Sequence, residues 1–248
     1  MNMWRTRSGY TPYVTWAIML ICLLVPTLTL VRWIPATGAL TWQLVYAPLE
    51  ALIQPWRLVT AGFVHGGYLH LLFNMVAFWV AAKQLEELFG HARFACVWLV
   101  STAGGYVFAL ALSVFIPALG GAGVTIGASG GILALFAIFL MLQRGAGGDI
   151  SALAVMLGLT LAYGIFVSGI SWQVHLGGII VGLILGGGFV MIGKRVYPEV
   201  TNAYDAVEIR RTREAATRKR HRLQALLIGG VALAEVAIWG MCYASTLA

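Results

Sequence analysis

Seven apolar stretches, broken by short polar or glycine-rich segments, set the pattern of the chain. The first runs from Val14 to Val31, with Pro26 near its far end. It is long for the core of a secretory leader, and no small-x-small cleavage site follows, so it reads as a retained span. A connection from Arg32 to Gly67 carries Trp33, Pro35, Trp42, Pro48, Pro55 and Trp56. That segment is amphipathic rather than polar, which predicts that it lies in the membrane interface. Further apolar stretches cover Tyr68 to Leu85, Phe94 to Ile116, Ser129 to Leu142, Ile150 to Val167, Trp172 to Ile192 and Leu223 to Thr246. The one beginning at Ser129 is too short to cross an apolar layer of about 30 Å, so the serine is expected below the membrane surface. The pattern predicts an all-α, polytopic membrane helix bundle. Residues 1–192 form a six-span core, 193–222 a basic connection, and 223–248 a seventh span with the C-terminus.

Composition agrees with this pattern. The chain is 60% hydrophobic and 10% charged, with a mean hydropathy of +0.86, which excludes an ordinary soluble domain. Thirty glycines in such a chain point to closely packed membrane helices. A net charge of +7 could suit nucleic acid, but its distribution argues for membrane orientation instead. Fourteen of the sixteen lysines and arginines fall on one side: Arg5, Arg7, Lys83, Arg93, Arg144 and nine between residues 194 and 222. Only Arg32 and Arg57 fall on the other. The N-terminus is therefore expected in the cytoplasm and the C-terminus outside, with the lipid bilayer and no nucleic acid as partner. Short termini without a transit peptide suggest a bacterial cell (inner) membrane. Cys22, Cys96 and Cys242 lie in separate apolar stretches and read as small core residues.

The chemistry centres on Gly127-Ala128-Ser129-Gly130-Gly131, at the mouth of the fourth stretch. Small neighbours let backbone and substrate approach the hydroxyl, and unpaired N–H groups at a helix start can hold an oxyanion. The same residues also fit a plain loop and helix cap. His65, His70 and His175 all fall on the same side of the membrane as Ser129, which follows from the span count alone. His91 and His221 sit among cytoplasmic charges and read as solvated residues.

His175 opens the pattern His175-x-x-Gly178-x-x-x-Gly182-x-x-x-Gly186, whose members return to nearly one helix face. Gly130 and Ala134 are also four apart, and two such faces permit close helix approach. That closeness is what a serine–histidine pair needs. A capping histidine beside a generic packing motif fits equally. His70 and Asn74 share a helix face and could donate to an oxyanion, or could serve as polar glue between helices.

Other chemistries fit less well. His-Glu-x-x-His is absent, and His65 and His70, five apart, diverge around a helix, so no metal or cofactor is expected. Neither Asp149 nor Asp205 falls within a span, which removes an aspartyl mechanism. A triad carboxylate is also missing, which leaves a serine–histidine dyad. Glu235 lies within the seventh span and reads as a packing residue. A transporter would show internal repeats, and none is evident.

Together these residues resemble the rhomboid family of intramembrane serine proteases, over about Trp56 to Gly186. The resemblance rests on Trp56-Arg57, on His65 with His70-x-x-x-Asn74, on Glu86-x-x-x-Gly90, on Gly127-Ala128-Ser129-Gly130, and on His175-x-x-Gly178-x-x-x-Gly182. It implies Ser129 as nucleophile and His175 as general base. It implies an oxyanion site from His70, Asn74 and the Ser129 N–H, beside Gly127. Trp56 and Arg57 would organise the outer loop, and Glu86 would tie the connection between spans 2 and 3. The implied architecture is a six-helix bundle around a water-filled cavity, with a seventh span of the six-plus-one type. Transmembrane protein substrates would enter laterally near spans 2 and 5 and be cut near the outer face. Two positions depart from the pattern: Leu133 stands where many relatives carry an aromatic residue, and Val174 where alanine is frequent. A non-catalytic relative that binds or chaperones membrane helices would be expected to lack the serine or the histidine, and both are present. The residues do not name the substrate or the oligomeric state.

Overall fold

The computed structural model describes residues 9–30, 36–121, 123–167, 169–196 and 206–247. Arg5, Arg7, Arg32, Trp33, Pro35 and Asp205, placed above from the sequence, lie outside these. Among the described residues the secondary structure is helical: α1 (Tyr13–Leu30), α2 (Ala36–Leu44), α3 (Pro48–Ile53), α4 (Arg57–Thr60), a 3-10 turn (Ala61–Phe63), α5 (Tyr68–Phe89), α6 (His91–Phe115), α7 (Ser129–Gly145), α8 (Ser151–Phe166), α9 (Trp172–Val196) and α10 (Ala206–Ser245). By length and apolarity alone, three helical stretches suffice to cross a membrane: His91–Phe115, Trp172–Val196 and Arg210–Ser245. A fourth is a pair bent by 99°, Arg57–Phe63 with Tyr68–Phe89. Tyr13–Val25, α7 and α8 are shorter apolar helices. The chain is a polytopic membrane helix bundle, as its hydropathy predicts.

Some features differ from the sequence reading. The basic segment is not simply a separate connection. From residue 206 onward it is one 40-residue helix with the last apolar stretch, about 60 Å long at 1.5 Å per residue. Arg, Lys, Glu and Ala favour helix intrinsically, and Arg210 donates to Glu214 at 3.0 Å one turn later. Of the three cysteines, Cys22 and Cys242 are buried, but Cys96 is exposed on the face of α6 turned away from the core.

α7 and α9 form the centre of the bundle. Gly130, Ala134 and Ile138 on α7 meet Gly178, Gly182 and Gly186 on α9 in register. A Cβ on Gly178 would clash with the Gly130 carbonyl, and one on Gly182 with that of Ala134. A Cβ on Gly186 would lie 2.9 Å from the Ile138 Cα. Matching small residues at four-residue spacing thus bring two backbones into contact. Gly131 makes room for side chains of α6: a Cβ there would come within 2.5 Å of Thr102 Oγ1 and 2.9 Å of the Trp98 ring.

The connection between α1 and α5 folds over one end of this bundle. Arg57 is 1% exposed despite its charge. Its guanidinium donates to the carbonyls of Trp42 and Val45 and to Gln54 Oε1, and lies 5.8 Å from the Trp42 ring centroid. The segment therefore carries its own polar core. Trp56, half exposed, donates its indole N–H to the Gln43 carbonyl at 3.1 Å.

Glu86 is fully buried at the other end of α5. Its carboxylate accepts the Val14 and Thr15 N–H groups at 2.9 and 2.7 Å and the Thr15 hydroxyl at 2.6 Å. It caps the first turn of α1 from another helix, where a negative charge also meets the positive end of the helix dipole. His91 completes the arrangement. Its Nδ1 lies 2.5 Å from Glu86 Oε1 and its ring stacks on Tyr10 at 5.3 Å, so it is not a simple solvated residue. At the start of α8, Asp149 accepts the Ser151 N–H and hydroxyl, both at 2.9 Å. These bonds hold its carboxyl below the usual carboxylate range.

Candidate active site

Ser129 is the first residue of α7, and His175 lies in the first turn of α9. The glycine contacts between the two helices bring their side chains together. Ser129 Oγ and His175 Nε2 are 2.8 Å apart, across 46 residues of chain. His175 is 6% exposed. Its other ring nitrogen, Nδ1, has no hydrogen-bond partner among the described residues. Among the described residues the arrangement is a pair without a third group behind the imidazole.

The approach to Ser129 is shaped by backbone. Gly127 has φ +124, a conformation side chains rarely adopt, and a Cβ there would sit 3.0 Å from His70 Nε2. Two bonds fix this glycine. Its N–H donates to the Ala61 carbonyl at 2.9 Å, and its carbonyl accepts the Tyr106 hydroxyl at 3.0 Å. Two residues earlier, Thr125 exchanges both backbone hydrogen bonds with Tyr46, at 2.9 and 3.2 Å. The serine loop is thus clamped to the α2–α4 connection on one side and to α6 on another. Ala128 precedes the helix and offers no side-chain cap, so the first-turn N–H groups of α7 have no acceptor from that residue.

His70 and Asn74 share one face of α5, as their spacing predicts. His70 is brought beside Gly127. Asn74 is buried, and one of its amide hydrogens goes to the His70 carbonyl at 2.8 Å. His65 departs from expectation. A spacing of five would separate it from His70 on a continuous helix, yet the rings meet edge to face at 5.2 Å. The reason is that His65 precedes α5, at the 99° bend.

Several contributors were not visible in the motifs. Tyr106 follows the Gly104-Gly105 pair, which could have flagged a close approach on α6. Gly105 meets the Val174 carbonyl, where a Cβ would lie 2.8 Å away. Gly164 on α8 packs on the imidazole itself: a Cβ there would lie 3.3 Å from His175 Nδ1. Leu133 is buried among Ala137, Leu140 and Leu157. Glu235 on α10 is 8% exposed and fits against Gly104, where a Cβ would meet its Oε1 at 2.5 Å. A cavity of about 460 Å³ between α4, α6 and α10 lies beside it, lined by residues such as Leu58, Ala103 and Val236.

The rhomboid domain family model matches residues 53–192, more than half the chain. The chain belongs to the rhomboid family. His65, His70, Asn74, Tyr106, Gly127, Ser129 and His175 all fall inside the matched region. The chain is 27% identical over 149 residues to RHOMBOID-like protein 6, mitochondrial, of Arabidopsis thaliana, covering 60% of this chain and 47% of that one. It is 30% identical over 127 residues to Rhomboid protease GluP of Bacillus subtilis (strain 168), covering 51% and 24%. It is 32% identical over 138 residues to Putative rhomboid protease YdcA of the same organism, covering 55% and 65%. The chain spans about half or less of the Arabidopsis rhomboid-like proteins it matches. Family membership and its apolar helices together make this an integral membrane protein.

Proposed function

We propose that this rhomboid is an intramembrane serine endopeptidase acting on single-span membrane proteins near the outer face. The observation that carries this reading is the 2.8 Å contact between Ser129 Oγ and His175 Nε2 at the start of a short apolar helix. In this mechanism Ser129 attacks the scissile carbonyl while His175 Nε2 takes the hydroxyl proton. His175 then gives that proton to the leaving amine, and the C–N bond breaks. Water, deprotonated by His175, hydrolyses the acyl-enzyme and regenerates Ser129. The oxyanion is held by the Ser129 N–H, by His70 beside Gly127, and by the Asn74 amide hydrogen not given to the His70 carbonyl. No metal or cofactor is used.

The pair needs no carboxylate behind it in this scheme. Burial among helices fixes the imidazole where a triad would use an aspartate. A substrate helix has its carbonyls hydrogen-bonded within itself, so small or helix-breaking residues near the cut favour unwinding. In the bilayer, α1 and α5 to α9 make the six-span core and α10 the seventh crossing. The charge distribution puts the N-terminus in the cytoplasm and the C-terminus outside. α7, about 25 Å long by its 17 residues, begins below the outer surface. Trp56 and Arg57 hold the outer connection at the interface, and Gly178 and Gly182 hold α9 against α7.

The test is labelling of the full chain in detergent with a fluorophosphonate probe, together with cleavage of a model single-span substrate. Wild type should label and cut, and Ser129→Ala and His175→Ala should do neither. Cleavage by Ser129→Ala would defeat the assignment. A folded wild type inert to the probe and to several substrates would favour a helix-binding role without chemistry.

A further inference from the structure

We infer that α10 positions the Ser129–His175 pair, acting through Trp239 on the clamp that holds the serine loop. The inference rests on the catalytic reading above.

α3 has six residues, too few to be stable alone, and its last carbonyls have no partner within the helix. One of these, on the fully buried Ala51, accepts the Trp239 indole N–H at 3.1 Å across 188 residues. Tyr243, one turn on, stacks against the indole with centroids 5.9 Å apart and planes 17° apart, which fixes the direction of the N–H. α10 therefore caps α3. Below this bond, Cys242 is fully buried in one apolar cluster with Ala51, Tyr46, Tyr106 and Val174.

Three of those partners, Tyr46, Tyr106 and Val174, lead to the site. Tyr46 pairs with Thr125, four residues before the serine. Tyr106 donates to the Gly127 carbonyl, and its ring lies 5.2 Å from that of Tyr46. Val174 precedes His175, and a Cβ on Gly130 would lie 2.6 Å from its Cγ1. The cluster thus touches the loop before the nucleophile and the residue before the base. A seventh helix that merely anchored the chain would have no need to cap α3 or to reach this cluster. Trp239 is a positioning residue: it touches neither substrate nor reacting atoms, and it sets the clamp's place.

The experiment separates geometry from folding. Full-length protein in detergent is titrated to endpoint with the fluorophosphonate probe, which counts competent sites. The labelling rate, kcat and KM for a single-span substrate are then expressed per competent site. Trp239→Ala should lower labelling rate and kcat about tenfold and Trp239→Phe about threefold, with KM within about twofold, because small misplacements of reacting groups cost rate. Leu233→Ala, on the exposed face of the same helix, should match wild type. If Trp239→Ala fails to fold, the Phe variant, which keeps one aromatic ring and loses the donor, still decides. Trp239 variants with full per-site rates but fewer competent sites would overturn the inference, since α10 would then only support the fold. A wild type that never labels would remove the pair itself and the inference with it. That failure is distinct, because it arises before Trp239 is changed.

Discussion

α9 and α8 both flank His175, and they hold it in opposite ways. α9 has eleven buried residues in 25, three of them glycines in backbone contact with α7. α8 has two in 16, Leu157 and Gly164. On its other faces Leu159, Tyr163 and Phe166 are largely exposed. The distance between Ser129 and His175 is therefore set by main chain on main chain, which has no rotamers to relax. The other side of the imidazole is covered by a thinly packed helix with one glycine in place. Fixity and access are thus divided between two helices.

The largest effect should come from widening the rigid side. Gly178→Ala puts a methyl group into the Gly130 carbonyl, so α7 and α9 must separate; a loss of about 3 kcal/mol is expected, as for overpacked cores. Thermal unfolding in detergent and probe labelling should both collapse. Tyr106→Phe comes next. It leaves the Gly127 carbonyl without its donor, costing about 1–2 kcal/mol, and labelling should slow more than the melting point falls. On the thin side, Gly164→Ala brings a methyl group to 3.3 Å from His175 Nδ1. α8 can give way, so the melting point should hardly change while the labelling rate shifts several-fold. The smallest effect is expected from Gly158→Ala, which meets nothing within 4 Å. It should leave activity intact and raise stability by up to about 1 kcal/mol through helix propensity. Equal responses at Gly178 and Gly158 would end the contrast between the two helices.

The helices were legible because hydropathy marks them directly; the start of α7 at Ser129 and of α9 at Trp172 fell where the apolar pattern begins. The approach of Ser129 and His175 was legible because both open apolar stretches that the span count puts at one end, with Gly130 and Ala134 spaced to match Gly178 and Gly182. What escaped were contacts between distant segments with no local period. Nothing around Tyr46 announces Thr125, and nothing around Glu86 announces α1. His91 looked solvated because its neighbours are charged, yet its partner is buried. Gly164 is one glycine among thirty, and only the third dimension gives it an imidazole. Arg57 was expected to organise the outer loop, but the carbonyls that wrap it could not be named, since the partners within such a loop cannot be inferred from charge alone.

The cap that Glu86 places on α1 also orders events during synthesis. The first-turn N–H groups at Val14 and Thr15 find their acceptor 72 and 71 residues further along. At translation speeds of about 5–20 residues per second, that acceptor emerges roughly 4–14 seconds later. Until then α1 is an unfinished helix in the bilayer. α1 is thus made before the residue that completes it, and it gains its cap only when a later helix arrives.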